Sequence, residues 1–473
     1  MIKENSHIEG KKFSYKRAVS YGVGQIADIS SYQAFTFLTF TFYFAVVGID
    51  ILWISIGFII WSIWNSFNDT IIGYLSDRTQ SKWGRRFPWI MLSLFPIALI
   101  LVFLFTPPIM WGISNEVANF IFFLFIIIIF ELFFTMYDIN FTALYPEIFI
   151  TVEERTKGNN VRQLFAIIGL IAAFILPGVF ISSYTTPKSP CEYPIYGMIV
   201  GIIIIISGLL FLKFSPKERV EFREEYKHAP NFFNTLKFCV KSKSFMRYIP
   251  AEIANWFVYG MLPVIVPLYG EFILGFKNPL IISLLLGATF LSTAIFMTLL
   301  WKPLVQKLGP RKSWLMSMSI WITTLVPLFF LNSTIPFLEV IAFIIFFLIG
   351  IGLSGSLYII DIIIADIIDE DEVKSGTRRE GGYYGVNIFF QRFATVFIFL
   401  IIGPVFLIAD YPYFTGIMTP EIEFGLRSLI FIYPAIALLI AIIAIFFYPL
   451  DGEVLKQVKE QREKIHQEKK SKM

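Results

Sequence analysis

The centre of the chain holds an apolar block followed directly by a long polar one. Residues 193–214 read YPIYGMIVGIIIIISGLLFLKF, and residues 215–244 read SPKERVEFREEYKHAPNFFNTLKFCVKSKS. An apolar run of about 18 residues or more is long enough to span a bilayer as a helix. The polar stretch is the longest break between such runs, so the sequence predicts a membrane protein that is divided at 215–245.

The composition points to the same class of protein. Hydrophobic residues make up 56% of the 473 residues and charged residues only 16%, and the mean hydropathy is +0.70. Soluble domains carry about 25% charged residues, which argues against a soluble enzyme, a nucleic-acid-binding protein or a disulfide scaffold. Apolar blocks between charged breaks predict an all-α membrane protein with twelve transmembrane helices. These spans are 19–47, 51–76, 87–109, 117–146, 161–183, 193–214, 246–275, 279–306, 313–331, 335–367, 384–409 and 422–448.

The central break groups the spans six and six. After span 2 the chain reads GRRFPW (84–89), and after span 8 it reads GPRKSW (309–314). This faint repeat predicts two related halves, the construction of the major facilitator fold, whose site lies between the halves near the bilayer midplane. The predicted segments are an N-terminal tail (1–18), a first half (19–214), a central loop (215–245), a second half (246–448) and a C-terminal tail (449–473) that is a solvated helix or disordered.

Positive charge determines the predicted orientation. All but four of the 39 Lys and Arg residues fall in segments on one face of this topology, the exceptions being Lys188, Lys277, Arg392 and Arg427. Lys and Arg concentrate in cytoplasmic loops. Both termini and the central loop are therefore predicted to be cytoplasmic.

The cysteines and histidines suggest no metal or cofactor site. Cys191 and Cys239 fall on opposite predicted sides, so no disulfide is expected, and all three histidines lie in polar segments. No phosphate-binding Gly-rich loop or Ser/His/Asp arrangement occurs. We predict no catalysis and no cofactor, with any coupling supplied by an ion gradient. The predicted partners are a small-molecule substrate and the lipid bilayer, and the protein is expected to be a monomer.

Polar residues follow helical stripes inside four spans. Residues three or four positions apart share one face of a helix, and an ionisable group in a span costs roughly 2.5–3.5 kcal/mol on insertion scales. Hydrogen bonds between helices explain the Ser, Thr and Asn positions equally well. Asp138 and Arg392 instead indicate a water-lined path for substrate or ions, and Arg162 fits either that path or a cytoplasmic loop. The stripes are Tyr21, Gln25, Asp28 and Tyr32; Ser62, Asn65, Asp69 and Ser76, with Asn68 beside them; Glu131, Thr135, Asp138, Thr142 and Tyr145; and Tyr384, Asn387, Gln391 and Thr395, with Arg392 adjacent.

Five segments resemble one known family. NDTIIGYLSDRT (68–79) followed by SKWGRRFPW (81–89) is similar to the signature of the glycoside–pentoside–hexuronide:cation symporters, a family of the major facilitator superfamily that includes melibiose permease. The resemblance implies that superfamily's fold and secondary transport. The other segments, in the family's order, are YGVG (21–24), MYD with LYP (136–146), RTK to NVR (155–162), and ADIIDEDE with RREG (365–381).

The resemblance also implies roles for single residues. The family's sugar-binding aspartate of helix 4 falls on Asp138 and its sugar-contacting arginine of helix 5 on Arg162. Its helix-2 cation aspartate falls on Asp69, its helix-4 threonine on Thr135, and its helix-11 lysine is matched in position by Arg392. The predicted substrate-binding set is Gln25, Asp28, Tyr32, Asp138, Thr142, Arg162 and Asn387. The predicted cation-coupling set is Asn65, Asn68, Asp69, Thr135 and Arg392.

Three positions depart from the family pattern. The family's first helix-2 aspartate is Asn65 here, the helix-1 sugar aspartate of melibiose permease aligns with Ile29 rather than Asp28, and the aromatic that packs on galactosides in that permease is Thr142. Paired carboxylates favour a sodium site, whereas a single carboxylate in a low-dielectric cavity favours taking up a proton. The sequence therefore favours H+ over Na+ as the coupling ion and leaves galactoside specificity open.

The predicted function is cation-coupled symport of a sugar or glycoside by alternating access. The alternatives are a lysophospholipid transporter of the wider family and a non-transporting membrane sensor. Basic loops 77–87 and 369–383 would clamp against acidic helix ends when the site faces outward, or would reflect the topology alone. The predicted gating residues are Asp77, Arg78, Arg85, Arg86, Asp366, Arg378 and Arg379.

Overall fold

Twelve long helices cross the molecule. The computed structural model describes residues 13–149, 151–216, 232–376 and 379–471, and their regular elements are helical. Eleven of these helices are long and apolar enough to cross a membrane. The first helix, which carries the polar residues of span 1, completes the predicted set of twelve. They are α1 (Tyr15–Thr41), α2 (Ile51–Asp77), α3 (Phe87–Leu104), α4 (Glu116–Ile148), α5 (Val152–Leu170), α6 (Glu192–Phe214), α7 (Lys243–Leu268), α8 (Pro279–Phe296), α9 (Pro310–Phe330), α10 (Leu338–Ser375), α11 (Glu380–Ile408) and α12 (Pro420–Phe446).

Several spanning helices contain a wide, π-type turn or continue beyond one. Such turns interrupt the regular ladder of hydrogen bonds and are frequent at functional sites. A π turn ends α1 and α7, and another lies inside α12. After their π turns, α5 continues to Phe180 and α8 to Leu308. The π turns are Phe42–Val46, Ile171–Ile175, Tyr269–Ile273, Met297–Trp301 and Ser428–Ile432.

Two predicted boundaries were wrong, and both errors involve charged helix ends. Helix α5 begins at Val152 rather than 161, because Thr151 caps it: the Glu154 amide donates to Thr151 Oγ1 at 3.1 Å. Helix α10 extends to Ser375 rather than 367. In both cases, charged residues extend the helix beyond its apolar block. Arg162 therefore lies on α5, well inside the helix, and not in a loop.

Two further helices lie outside the membrane bundle. Phe232–Lys241 falls within the predicted central loop, of which residues 217–231 are outside the described part. Gly452–Ser471, the tail helix, packs against α10. The face of the bundle that carries the tail helix is called the tail face below, and the other end is called the opposite face.

Six helices form each half, as the major facilitator fold requires. In the first half α1 packs against α5 and α6, and in the second half α7 packs against α11 and α12. The halves meet along three helix pairs, α1 with α7, α2 with α11, and α5 with α8. These six helices therefore border the space between the halves, where the predicted site residues lie.

The halves are closed at the opposite face. The Ile51 amide donates to the Pro412 carbonyl at 2.9 Å, and the rings of Phe58 and Phe399 stack 4.0 Å apart. A Cβ on Gly178 would lie 2.6 Å from Leu280 Cα, so only glycine permits this approach of α5 to α8.

A carboxylate of the second half reinforces this closure. Glu271 Oε1 accepts hydrogen bonds from the Tyr184 amide at 2.5 Å and from Ser183 Oγ at 3.2 Å, and its Oε2 accepts from Thr185 Oγ1. The hydrogen bonds and ring contacts that join described residues of the two halves all lie between the middle of the bundle and this face. Thr142 and Asp361, nearer the tail face, are exposed. The described part of the molecule is thus open toward the tail face.

Candidate functional site

One ion pair joins the halves at the middle of the bundle. Arg392 of α11 donates from Nη2 and Nε to Asp69 Oδ2 of α2, at 2.8 and 3.1 Å. The side chains are only 16% and 13% exposed. Ser62 Oγ donates to the Arg392 carbonyl at 2.7 Å, which fixes the two helices at the same level. A change at Asp69 is therefore transmitted directly to the second half.

A second carboxylate, that of Glu131, is linked to Asp69 through Thr135. Thr135 Oγ1 lies 3.1 Å from Asp69 Oδ1 and 3.4 Å from Glu131 Oε1, and so connects the two acidic side chains. Glu131 is fully buried, and its Oε2 has no hydrogen-bond partner. Asn68 Nδ2 donates to the Glu131 carbonyl at 3.2 Å, while the buried Asn65 leaves its Oδ1 unpaired.

The sequence-based prediction of a single carboxylate at this site is thereby corrected. Glu131 belongs to the predicted polar stripe of span 4 but not to the predicted cation-coupling set. A charge of −1 remains in this group when Asp69 and Glu131 are ionised beside Arg392. We call the group the coupling cluster: Asn65, Asn68, Asp69, Glu131, Thr135 and Arg392.

In the first half, the predicted substrate-binding residues include two hydrogen-bonded pairs of side chains and one arginine. Gln25 Nε2 donates to Asp28 Oδ2 at 2.7 Å on α1, and Thr142 Oγ1 donates to Asp138 Oδ1 at 3.2 Å on α4. The guanidinium of Arg162 lies 5.0 Å from the Tyr145 ring centroid. Asp28 and Asp138 are within its electrostatic range, so α1, α4 and α5 bring these predicted residues together.

Tyr32 lies closer to the coupling cluster. Its half-buried ring stacks on Phe134 of α4 with centroids 5.0 Å apart. Phe134 immediately precedes Thr135 of the cluster. Tyr32 therefore lies beside the coupling cluster, and Asp138 is within electrostatic range of both members of the ion pair.

Asn387, the predicted contact of the second half, binds a carboxylate that the sequence analysis missed. Asn387 Nδ2 donates to Glu252 Oε1 of α7 at 3.0 Å, and Trp256 Nε1 donates to the same oxygen at 3.0 Å. A further carboxylate, Asp361 of α10, is within electrostatic range of both Glu252 and Arg162. The available signal was the spacing Glu252, Trp256, Tyr259, which gives one polar-aromatic face of span 7.

Most unsatisfied buried atoms of the site are acceptors, and the hydroxyl of Tyr248, beside Glu252 and Asn387, is the exception among those described. An unpaired buried polar atom costs about 1–3 kcal/mol, so these oxygens favour a partner that donates hydrogen bonds. Hydroxyl groups supply such donors, and Arg162 supplies donors for the oxygens of the same ligand. The buried oxygens without a partner are Gln25 Oε1, Asp28 Oδ1, Asn65 Oδ1, Glu131 Oε2, Glu252 Oε2 and Asn387 Oδ1.

The predicted gating residues lie at the tail face, and the ion pairs that they make with described residues join groups of the same half. Arg85 Nη2 lies 2.6 Å from Glu147 Oε1, and Arg86 pairs with Asp77. Arg78 lies over the ring of Tyr74, 3.8 Å from its centroid.

In the second half the gating residues engage the end of α10 and the tail helix. Arg379 Nη2 lies 2.6 Å from Asp371 Oδ1, and Lys459 Nζ of the tail helix lies 3.1 Å from Asp366 Oδ1. Arg378 is outside the described residues. A clamp between the two halves remains a prediction for the outward-facing state.

Comparison with known proteins identifies the family. The model of a family described as MFS/sugar transport protein matches residues 20–452. The chain belongs to this family. The resemblance to the glycoside–pentoside–hexuronide symporters is thereby confirmed, and the family is one of membrane transporters.

Curated relatives share about a fifth to a quarter of their residues with the chain. An uncharacterized symporter of Synechocystis sp. is 23% identical, with 96% of this chain and 97% of the relative covered. The sodium-dependent lysophosphatidylcholine symporter 1 of Mus musculus is 20% identical, covering 86% and 80%. A putative sulfoquinovose importer of Salmonella typhimurium is 23% identical, covering 93% and 91%.

Solved structures show the same fold. The nucleoside transporter NupG matches with a TM-score of 0.65 at 13% identity, covering 91% of this chain and 99% of NupG. The inward-open xylose transporter XylE from E. coli matches with a TM-score of 0.63 at 12% identity, covering 95% and 99%.

Proposed function

We propose that the protein is a cation-coupled symporter that carries a sugar or glycoside across the membrane by alternating access. The observation that carries this proposal is the Arg392–Asp69 pair, which joins the halves beside a buried group of acceptor oxygens. A cation bound at Asp69 and Glu131 weakens the pull of Asp69 on Arg392. Coupling then follows because ion binding alters a contact that holds the halves together.

The substrate is bound mainly by the first half in this proposal. Asp138 and Asp28 accept hydrogen bonds from ligand hydroxyls, Gln25 and Thr142 orient these carboxylates, and Arg162 donates to ligand oxygens. Carboxylates outnumber arginines around the space between the halves, which favours a neutral polyhydroxylated ligand over an anionic one. The name of the Salmonella relative refers to a sugar and so agrees with the sugar class, but sulfoquinovose is a sulfonate, so that name does not support a neutral ligand.

We propose the proton as the coupling ion, with sodium at the same oxygens as the alternative. Arg392 already compensates Asp69, so one proton neutralises the remaining charge of the coupling cluster without further ligands. Sodium requires several oxygen ligands around one point, and Asp69, Glu131, Thr135 and Asn65 could supply them. The tail face, rich in Lys and Arg, is proposed to be cytoplasmic, with one chain as the transporting unit.

Reconstitution tests this function. Purified protein in proteoliposomes is first screened by thermal shift with sugars, uronides and lysolipids, and the stabilising compound is then followed in uptake under an imposed pH or sodium gradient. Accumulation of a sugar that is driven by a gradient and lost in Asp69→Asn supports the proposal. Binding without uptake would instead identify a sensor.

Lysophospholipid transport is the second candidate, since a relative of that name covers 86% of the chain. In the same screen, stabilisation and uptake of a lysolipid in place of sugars would favour it.

A further inference from the structure

One face of α7 carries Glu252, Trp256 and Tyr259, spaced four and three residues apart. This face points toward the first half, because Gln33 Nε2 of α1 donates to Tyr259 Oη at 3.1 Å across the contact between the halves. Trp256 lies one turn closer to the open tail face than Tyr259. The face therefore borders the space between the halves, opposite the residues assigned to substrate in the first half.

Glu252 accepts hydrogen bonds from two neighbouring side chains with one of its two carboxylate oxygens. Asn387 Nδ2 and Trp256 Nε1 both donate to Oε1. Glu252 is 1% exposed and Asn387 6%, and Glu252 Oε2 and Asn387 Oδ1 have no partner of full hydrogen-bond geometry. The buried Tyr248 hydroxyl, which also lacks such a partner, is within side-chain hydrogen-bond range of both residues. Poorly aligned buried polar atoms are costly, and a ligand hydroxyl between these three side chains would supply the missing hydrogen bonds.

The bond to Glu252 also fixes the indole of Trp256. Its ring is half-buried and packs edge to face on Tyr259, with centroids 5.2 Å apart. One ring edge is thus tied to Glu252 and another to Tyr259, which leaves a rigid apolar surface beside two acceptor oxygens. Thr142 on α4 offers no aromatic ring for such a contact.

We propose that Glu252, Trp256 and Asn387 form a second-half subsite for one hydroxylated ring of the ligand. The apolar face of a pyranose packs on the indole, and its hydroxyls donate to Glu252 Oε2 and Asn387 Oδ1. An anionic group is excluded from this end of the ligand, since it would face the Glu252 carboxylate. The subsite rests on the proposed function, and it adds a ligand contact in the half that moves against Asp138.

Such a subsite links binding to closure. A ligand held by Asp138 on α4 and by Glu252 on α7 makes its full set of contacts only when the halves approach each other at the tail face. The ligand then binds the closed conformation more tightly than the open one, and that difference is what shifts a conformational equilibrium.

Calorimetry with methyl β-D-glucopyranoside, methyl β-D-galactopyranoside and their monodeoxy analogues tests the subsite. Glu252→Gln should weaken binding roughly 10-fold or more, the value of one charge-assisted hydrogen bond. Trp256→Phe should also weaken binding, because the smaller ring offers less stacking surface and loses the hydrogen bond that fixes the indole to Glu252. Glu339→Gln and Trp111→Phe, at exposed positions of the opposite face, are the matched controls and should bind as wild type does.

The deoxy analogues distinguish a ligand contact from a structural role. For the analogue that lacks the hydroxyl bound by Glu252, wild type and Glu252→Gln should have the same affinity. Neither protein can form the hydrogen bond to that hydroxyl, so the substitution no longer weakens binding. The subsite is overturned, while the proposed function stands, if the variants lose the same affinity for every ligand. The same conclusion follows if wild type binds a pyranoside and neither variant loses affinity for it. Failure of wild type to bind or take up any pyranoside would overturn the proposed function and the subsite with it.

Discussion

Arg392 and Asp69 belong to different halves, and their side chains meet at 2.8 Å between Nη2 and Oδ2 in the middle of the bundle. Thr135 extends this contact to Glu131, a buried carboxylate that is not part of the ion pair. In the proposed mechanism both carboxylates respond to the entering cation, and the guanidinium of Arg392 transmits the change to α11.

Removing charge from the coupling cluster should separate exchange from accumulation. We expect Asp69→Asn and Glu131→Gln to reduce gradient-driven uptake by at least about 10-fold, since the lost carboxylate no longer takes up the ion. Exchange of labelled for unlabelled substrate at equilibrium should persist, because it needs no net ion movement. Gln391→Leu, beside Arg392 but outside the cluster, is the control, and unchanged accumulation in Asp69→Asn would contradict the assignment.

Asp138 should be the main anchor of the substrate. Its replacement by Ala removes both oxygens of a carboxyl group that can each accept a hydrogen bond from the ligand, and such bonds are worth about 1 kcal/mol or more each. We expect calorimetry to show a loss of binding of about 100-fold, with unchanged membrane insertion and elution volume. Arg162→Ala should also weaken binding, whereas Arg392→Gln should mainly alter the ion dependence. Normal affinity in Asp138→Ala would show that the site lies elsewhere.

Glu271 should hold the opposite face closed. Its carboxylate accepts from Tyr184, Ser183 and Thr185, and hydrogen bonds to a charged acceptor are stronger than neutral ones. In a Cys191→Ser background, Glu271→Leu should therefore increase labelling of Ser55→Cys, between α2 and α11, by an impermeant maleimide added at the opposite face. Glu421→Leu, in the first turn of α12, should leave labelling unchanged. Equal labelling in both would contradict a latch at Glu271.

The two cysteines should report the orientation of the chain. Cys191 is exposed at the opposite face, whereas burial, with a smaller contribution from Asp371, raises the pKa of Cys239 to about 12. At pH 8 in intact cells an impermeant maleimide should label Cys191 and leave Cys239 unmodified, because only the thiolate reacts. Protection of Cys191 in intact cells but not in inverted vesicles would reverse the proposed orientation.

The apolar blocks and helical stripes predicted the fold and most of the residues that the structure brings together. Helical periodicity predicts that Thr135 and Asp138 share one face of α4, because it depends only on the spacing of residues that are close in sequence. Glu252 was missed since its partner Asn387 is distant in sequence and only the packing of α7 on α11 joins them. Hydropathy alone does not reveal the start of α5, which is determined by the capping sequence at Thr151 and Glu154.

The C-terminal tail shows which structural features can be predicted from the local sequence and which cannot. Its Lys- and Glu-rich sequence was compatible with a solvated helix, and Gly452–Ser471 is a helix. Its position against α10 depends on three side chains that meet carboxylates about 90 residues away, a relation that composition does not contain. The pairs are Lys459 with Asp366, Arg462 with Asp369, and His466 with Glu372.

The docking of the tail helix on α10 should contribute measurably to stability. Asp366 is 6% exposed while Lys459 is 47% exposed, so solvent screens the attraction and about 1 kcal/mol is a reasonable value for the pair. Lys459→Glu places a second carboxylate beside a buried one, and we expect its thermal midpoint to fall by a few degrees. The double variant Lys459→Glu with Asp366→Lys restores an attractive pair and should recover part of that loss. Lys464→Glu, exposed on the same helix, is the control. If Lys459→Glu and Lys464→Glu melt at the same temperature as wild type, the tail helix does not stabilise α10 through this pair.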